Sequence, residues 1–340
     1  MNNVPARMKD IADDLGVSLM TVSKALRSHS DISEETRQRV LRRARELNYQ
    51  PNWIARSLVT RRTYTIGVVI PDLMHSFFAE VANGLARELE PSGYQIVVTN
   101  SDENAETERR QIELLLGRSV DGLIIASALE HWQKGMPAIL KSSPAPYVLI
   151  DRTPSSPGFN YVGTCDEEVG RLAAVHLIEQ GCTRIAHIRG PERPNSLRRL
   201  QGFRQTMEFY GRETPAAYIA VGGRDDEGGY QAMRQLLELD QPPDGVTCYN
   251  DPVAAGAIKA VLEAGLRVPG DVAIIGAGNV HYSDLLLVPL STVDQGSSTI
   301  GVTAAKMLLN CIESKEPPEP RSVQLPPKLV VRDSSRRRDH

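Results

Sequence analysis

The sequence predicts a small all-helical head joined to a larger α/β body of two doubly wound subdomains. Three observations carry that expectation. Apolar residues recur at helical spacing through the first fifty positions. From Thr65 onward, short apolar strands alternate with helical stretches, in two successive series. Charge divides the chain in the same place. Residues 1–62 hold 12 Lys+Arg and 7 Asp+Glu, a net of +5, which leaves −8 on the rest of a chain whose formal charge is −3. At 340 residues the chain has room for two or three domains with ample core.

In the head, Met8, Ile11, Ala12 and Leu15 form the first helical stripe, and Gly16 ends it. Ser18 is placed to cap a second helix running to about Leu26, with Val22, Ala25 and Leu26 on its inner side. Ala12-x-x-x-Gly16-Val17-Ser18 therefore reads as helix, tight turn, helix. Ser33 is a cap for a third helix, with Glu34 and Glu35 at its positive dipole end. Val40, Ala44 and Leu47 make its apolar stripe, and Arg37, Arg39, Arg42, Arg43 and Arg45 crowd the remainder. Three such helices fit the helix-turn-helix kind, whose second helix enters the major groove of DNA. A generic three-helix bundle fits the same spacings.

The body begins with strands Ile66–Ile70, Ile96–Thr99, Leu123–Ala126 and Val148–Ile150, separated by helical stretches near 77–90, 105–117 and 131–141. The second series places strands near Tyr161–Gly163, Arg184–Ile188, Tyr218–Val221, Gly245–Tyr249 and Val272–Ile275. Its helices fall at 167–180, 197–210, 227–239 and 252–264. Such alternation implies parallel sheets covered on both faces. Open α/β sheets bind ligands beyond the carboxyl ends of their strands, so a cleft between the two subdomains is the expected pocket.

Other function classes fail on inspection. Gly276-Ala277-Gly278-Asn279 follows a strand but lacks the third glycine of a dinucleotide fingerprint, and no P-loop, zincin or nucleophile-elbow motif occurs. The seven histidines show no ligand spacing, and Cys165, Cys182, Cys248 and Cys311 form no C-x-x-C pair. The expectation is no catalysis, no cofactor, no metal and reduced thiols. No apolar run reaches the ~18 residues that span a bilayer. The opening residues lack a secretory core, so a cytoplasmic, nucleoid-associated location follows.

The head becomes specific when its motifs are taken in order. Met8-Lys9-Asp10-Ile11-Ala12, Gly16-Val17-Ser18, Thr21-Val22-Ser23-Lys24-Ala25-Leu26, Ile32-Ser33-x-Glu35-Thr36-Arg37 and Leu47-Asn48-Tyr49-x-Pro51-Asn52 resemble the lactose/galactose-repressor family in order and spacing. The resemblance implies a homodimeric DNA-binding regulator acting on double-stranded operator DNA. It places Leu19, Met20 and Lys24 at base edges and Ser18, Thr21, Ser23 and Arg27 on phosphates. Leu19 and Met20 suit thymine methyl groups, and Lys24 lacks the rigid fork by which Arg reads guanine. It also makes 51–62 a hinge segment and linker. There Leu58, with Ala55 and Arg56 beside it, would wedge into the central base step from the minor groove.

The body resembles the periplasmic-binding-protein fold that repressors of this family carry. The family pattern implies residues 1–50 as the head and 63–340 as an effector-binding and dimerisation domain. Its N-subdomain would hold about 63–162 and 293–322, with helix 297–312, and its C-subdomain about 163–292 and 323–332. The three crossings would lie near 160–164, 291–295 and 321–325. For a small-molecule effector the resemblance nominates Phe77, Phe78, Asp151, Arg193, Asn195, Arg199 and Asn250, with Arg193 and Asn195 on a loop. Gly278 joins them as the position where the family has a ligand-facing Asp, which argues against an ordinary hexose and leaves open a bulkier effector, a less hydroxylated one or a degenerate pocket. Arg336-Arg337-Arg338 reads as a disordered tail without a specific role.

Overall fold

A computed structural model describes residues 6–26, 29, 31–49, 57, 60–129, 138–152, 158–316 and 318–337. It divides into two compact units, Met1–Thr63 and Tyr64–His340.

The head contains α1 (Met8–Leu15), α2 (Leu19–Leu26) and α3 (Glu34–Glu46). Gly16 takes the left-handed conformation that ends α1, with φ +64°, so its lack of a Cβ is what allows the tight turn. Ser18 Oγ then accepts from the Thr21 amide at 3.0 Å, and Ser33 Oγ accepts from Thr36 at 3.3 Å, capping α2 and α3. Ile11, Ala12, Val22, Ala25, Val40 and Ala44 close a common core. Arg43 ties α3 to α1 through Asp14 at 2.6 Å.

The body carries two six-stranded sheets. The first is built from β1 (Thr65–Ile70), β2 (Gln95–Asn100), β3 (Gly122–Ile125), β4 (Tyr147–Ile150), β5 (Tyr161–Thr164) and, from the far end of the chain, β11 (Ser322–Leu325). Its order is β11-β5-β4-β3-β1-β2, parallel throughout. Helices α4 (Ser76–Leu89), α5 (Ala105–Gly117), α6 (Ala138–Ser142) and α11 (Ser297–Glu313) belong to it.

The second sheet holds β6 (Ile185–Arg189), β7 (Ile219–Val221), β8 (Gly245–Cys248), β9 (Ala273–Gly278), β10 (Ser291–Asp294) and β12 (Lys328–Val330), in the order β12-β10-β9-β8-β6-β7. Only β12 runs antiparallel to its neighbour. Its helices are α7 (Asp166–Glu179), α8 (Pro194–Phe209), α9 (Asp226–Leu237) and α10 (Asp251–Glu263). Fully apolar central strands such as Leu123–Ile125 and Ile274–Ile275 follow from burial on both faces.

Three helix pairs pack at backbone distance through glycines. A Cβ on Gly84 would meet Ser298 O at 2.4 Å, one on Gly202 would meet Glu167 O at 1.9 Å, and one on Gly256 would meet Asp226 O at 1.8 Å. Each therefore sets how closely α4 meets α11, α8 meets α7 and α10 meets α9.

Several expectations are corrected. The chain leaves each sheet a few residues later than the sequence places it, because Tyr161–Thr164, Ser291–Asp294 and Ser322–Leu325 complete full strands before crossing. The strand expected at Val272–Ile275 runs on to Gly278, since the bare Gly276 admits Asp251 Oδ1 within 2.3 Å of where a Cβ would sit. Of the helix near 131–141, Ala138–Ser142 lies among the described residues. Asn195 sits in the first turn of α8 rather than on a loop, because Pro194 at the first helical position starts the helix earlier.

The tail is anchored rather than disordered through Arg337, whose amide donates to Gln180 Oε1 at 2.8 Å and whose guanidinium donates to Asp244 O at 2.6 Å. Arg336 donates to Val331 O, and Arg338 lies outside the described residues. Burial of Ser334 and Ser335 explains the anchoring, because Ser334 Oγ donates to Ile274 O and Ser335 Oγ bonds His176 Nε2 at 2.6 Å.

Candidate functional site: a polar inter-subdomain cleft and a helix-turn-helix head

On the head, Leu19 is 50 % and Met20 62 % exposed, two large apolar side chains facing water at the start of α2. Val22 and Ala25 on the same helix are fully buried, so the core is supplied from the other side. Ser18 and Thr21 are bonded to each other at 2.9 Å as well as through the cap. Ser23 is half-buried. Lys24 pairs with Asp31 in the turn before α3, and the ammonium holds the Asp31 carboxyl below its ordinary range. Arg27, Ala55, Arg56 and Leu58 lie outside the described residues.

In the body, the carboxyl ends of strands from both sheets converge on one cleft. Its lining includes Asp72, His75, Phe77, Phe78, Glu103, Asp151, Arg152, Asn195, Arg199, Arg224, Tyr249, Asn250, Ala277 and Gln295. Of the nominated residues, Phe77, Phe78, Asp151, Asn195, Arg199 and Asn250 are brought together there. Arg193 is not in the lining and instead reaches across to Ala128 O and Glu103 O of the first subdomain. Gly278 is not in the lining, where its neighbour Ala277 stands instead.

The aromatic wall follows from α4 opening after β1. Phe77 and Phe78 meet edge to face, with centroids 5.2 Å apart, and both also belong to the core of the first subdomain. Asp151 follows β4 with φ +67°, a left-handed turn braced by the Tyr161 hydroxyl donating to its carbonyl at 2.9 Å. Burial raises the Asp151 carboxyl above its ordinary value, against the pull of Arg152 and Arg199.

Arg199 is the most heavily engaged group. Its Nε donates to Asp166 Oδ1 at 2.9 Å, and its two terminal nitrogens donate to Tyr249 O at 2.7 Å and Gln295 Oε1 at 2.6 Å. The guanidinium also lies over the Tyr249 ring, 5.1 Å from its centroid. Burial raises Asp166 to about 6 even with Arg199 beside it. Arg199 thus lines the cleft with its guanidinium oriented by three protein oxygens.

Sequence reasoning missed Arg152, Tyr249 and Gln295. Arg152 is 6 % exposed, pairs with Glu103 and donates to Ser127 O at 2.6 Å. Tyr249 and Gln295 follow β8 and β10 directly and Arg152 lies two residues past β4, which is where such sheets place ligand groups. That positional signal was present. Asp251, by contrast, is fully buried and accepts from Val280 N, Ser283 Oγ and Thr292 Oγ1, so it serves the loop after β9 and not the cleft.

A helix-turn-helix head on a two-lobed α/β body with a polar cleft defines a ligand-responsive DNA-binding regulator. Residues 7–52 match the model of bacterial regulatory proteins of the lacI family, and residues 174–335 match a periplasmic binding protein-like domain. The chain is 34 % identical to the ribose operon repressor of Halalkalibacterium halodurans over 332 residues, covering 97 % of each. It is 33 % identical to the HTH-type transcriptional repressor PurR of Pasteurella multocida over 335 residues, covering 98 % of this chain and 99 % of that one. Among solved structures it resembles the Lac repressor dimer bound to operator and the anti-inducer ONPF, with TM-score 0.83, 27 % identity and coverage of 98 % and 99 %. It also resembles a LacI family regulator from Enterococcus faecium with bound ribose, with TM-score 0.71, 30 % identity and coverage of 80 % and 98 %. The protein belongs to the LacI family of DNA-binding transcription regulators, with an effector-binding C-terminal domain.

Among the described residues, no helix is long and apolar enough to cross a membrane.

Proposed function

We propose that this protein is a cytoplasmic, homodimeric, non-enzymatic repressor that binds a pseudo-palindromic operator and takes a pentose, with D-ribose as the leading candidate, in its inter-subdomain cleft. The observation that carries the effector assignment is the convergence of Asp151, Arg152, Arg199, Asn250 and Gln295 beside the Phe77/Phe78 wall. Each sugar hydroxyl both donates and accepts, so carboxylate and amide oxygens interleaved with guanidinium N–H groups match a polyol. The relatives named for ribose, and the neighbour that holds it, support the same reading.

On the DNA side, Leu19, Met20 and Lys24 read base edges while Ser18, Thr21, Ser23 and Arg27 hold phosphates. The hinge residues Ala55, Arg56 and Leu58 act in the minor groove. Dimer contact is made mainly in the N-subdomain, where Leu73 and Met74 are 56 % and 91 % exposed, and Leu285 and Leu287 offer apolar surface on the C-subdomain. Ligand in the cleft shifts the angle between subdomains and so biases the hinge.

Genome-wide footprinting of the full-length protein at physiological salt, with and without D-ribose, tests the reading. A few palindromic sites whose occupancy changes with ribose are expected. Palindromic sites indifferent to ribose would remove the pentose and keep the regulator. Uniform, salt-labile coverage without a motif would remove sequence-specific binding.

A further inference from the structure

The cleft is bridged by polar and charged side chains that reach from one subdomain to the other. From the C-subdomain, Arg193 crosses to the N-subdomain. It donates to Ala128 O at 3.1 Å and to Glu103 O at 3.2 Å, and its Nε lies 3.6 Å from Glu103 Oε2. Arg224 crosses beside it, 3.2 Å from Asp102 Oδ1 and 3.9 Å from Asp72 Oδ2. Asn250 adds a third bridge, with its Nδ2 3.1 Å from His75 Nε2.

The acidic side of this contact is built for the purpose. Asp102 and Glu103 are consecutive non-glycine residues in the left-handed region, with φ +48° and +56°, a conformation that such residues adopt uncommonly. That turn carries Glu103 over the cleft, where its other oxygen pairs with Arg152. The receiving loop is braced as well, since the buried Glu108 carboxylate accepts from Ser127 Oγ at 2.7 Å and from the Ala128 amide.

With these bridges in place the cleft encloses about 40 Å³. That is room for a few water molecules, whereas small-molecule pockets run to roughly 300 Å³ and above.

We propose that Arg193 and Arg224 on one subdomain, and Asp102 and Glu103 on the other, form an intramolecular latch that holds the cleft collapsed until an effector displaces it. The latch is loose by construction. Glu103 Oε2 has no hydrogen-bond partner and meets Arg193 through charge alone, and Arg224 and Asp102 are both solvent-accessible. Screening by salt therefore weakens its charged contacts, leaving the Arg193 bonds to the Ala128 and Glu103 carbonyls as the remaining hold. An effector that binds only the opened cleft competes with the latch, so its apparent affinity is reduced by the fraction of protein that is latched. The competition with ligand rests on the effector assignment above, while the latch itself does not.

The test uses the full-length protein in a background with Cys165 and Cys311 replaced by serine. Spin labels on the exposed positions Arg110 and Gln231 report the distance between subdomains by double electron–electron resonance. Without ligand, the wild-type distance lengthens as salt rises from about 0.1 M to about 1 M, where the screening length falls from about 10 Å to about 3 Å. The isosteric D102N/E103Q variant, in which the Gln amide oxygen still accepts from Arg152, is open and salt-independent. R193Q opens the cleft from the other side. D-ribose, titrated calorimetrically, binds D102N/E103Q about tenfold tighter, the gain when a state populated about one part in ten becomes dominant.

A distance that responds neither to salt nor to either variant overturns the latch. Opening with unchanged or weaker ribose affinity overturns the competition. Opening with no ribose binding to either protein supports the latch and removes ribose as the effector.

Discussion

Arg199 and Asp166 are joined at 2.9 Å between α8 and α7, two helices that touch at Gly202 with no room for a Cβ. The pair is 4 % and 3 % exposed, so the cleft's principal cation is also a fastening of the C-subdomain. Removing it has two consequences that can be separated by pH.

Arg199→Ala leaves the Asp166 carboxylate buried without its partner, a change that costs about 3–5 kcal/mol in comparable buried pairs. Asp166 already titrates near 6, and it rises further without Arg199. A folded-state carboxyl pKa above the unfolded value adds stability at low pH and loses it as pH rises. The expected deficit in chemical denaturation is therefore largest near pH 8 and smaller near pH 5. A deficit independent of pH would place the damage elsewhere. Ribose response is lost at both pH values.

Gly202→Ala tests the helix contact without touching a charge. The added methyl falls 1.9 Å from Glu167 O, so α8 must shift and carry Arg199 with it. Overpacking of this kind costs about 1–3 kcal/mol. The expected outcome is a lowered melting temperature together with weakened ribose binding, while operator affinity of the folded protein stays within about twofold. Unchanged ribose affinity would show that α8 absorbs the shift without moving Arg199.

His75 makes closure of the cleft sensitive to acid. Burial lowers its pKa to about 4, with Asp72 and Glu103 raising it and Arg199 lowering it further. The neutral ring has one bare nitrogen, to accept from either the Phe77 amide at Nδ1 or Asn250 Nδ2 at Nε2, whereas a protonated ring carries hydrogen on both nitrogens and accepts from neither. An opened, hydrated His75 returns toward 6.5, so the open form takes up the proton first as pH falls from about 6.5 toward 4. The distance between subdomains is expected to lengthen over that window, and His75→Asn to flatten the response. A flat wild-type profile would refute the linkage.

Asp31 holds Lys24, the one charged side chain of α2. So exposed a pair is weak, and DNA is expected to displace Asp31 at small cost, while the pair withholds one cation from α2. On non-specific DNA, where its base partners are missing, a freed Lys24 turns to a phosphate, so Asp31→Asn is expected to raise non-specific affinity severalfold and to steepen the salt dependence by about one unit of slope. Equal slopes for both proteins in anisotropy titrations would show that Lys24 is already committed to DNA.

Leu58→Ala follows from the sequence motif alone, since Leu58 lies outside the described residues. A wedge matters only at a kinked site, so specific binding is expected to fall far more than non-specific binding. Equal losses on operator and random DNA would refute the wedge.

Periodicity made the elements legible because burial on one face or two imposes spacing that survives any tertiary arrangement. Met8 to Leu26 read correctly as helix, turn and helix for that reason, with Gly16 and Ser18 as local signals. The crossovers were misplaced because Thr164, Asp294 and Leu325 are strand residues only through their partners in distant chain segments. Arg337 was assigned to a free tail because its anchors, Gln180 and Asp244, lie far away in sequence. Arg199 was legible as a cleft residue, but its fastening to Asp166, Tyr249 and Gln295 was not.

The sequence by itself determined the element order, the helix-turn-helix head, the two α/β series and the family motifs, all of which rest on spacing and local residue chemistry. Only the tertiary structure decided which strand ends share a cleft and which cations there are already spoken for. It brought Glu103 to Arg152 and Arg193, and Asp102 to Arg224, although dozens of residues separate each pair. Charge pairing depends on distance in space, and no local pattern encodes which distant side chains the two sheets will bring within 4 Å.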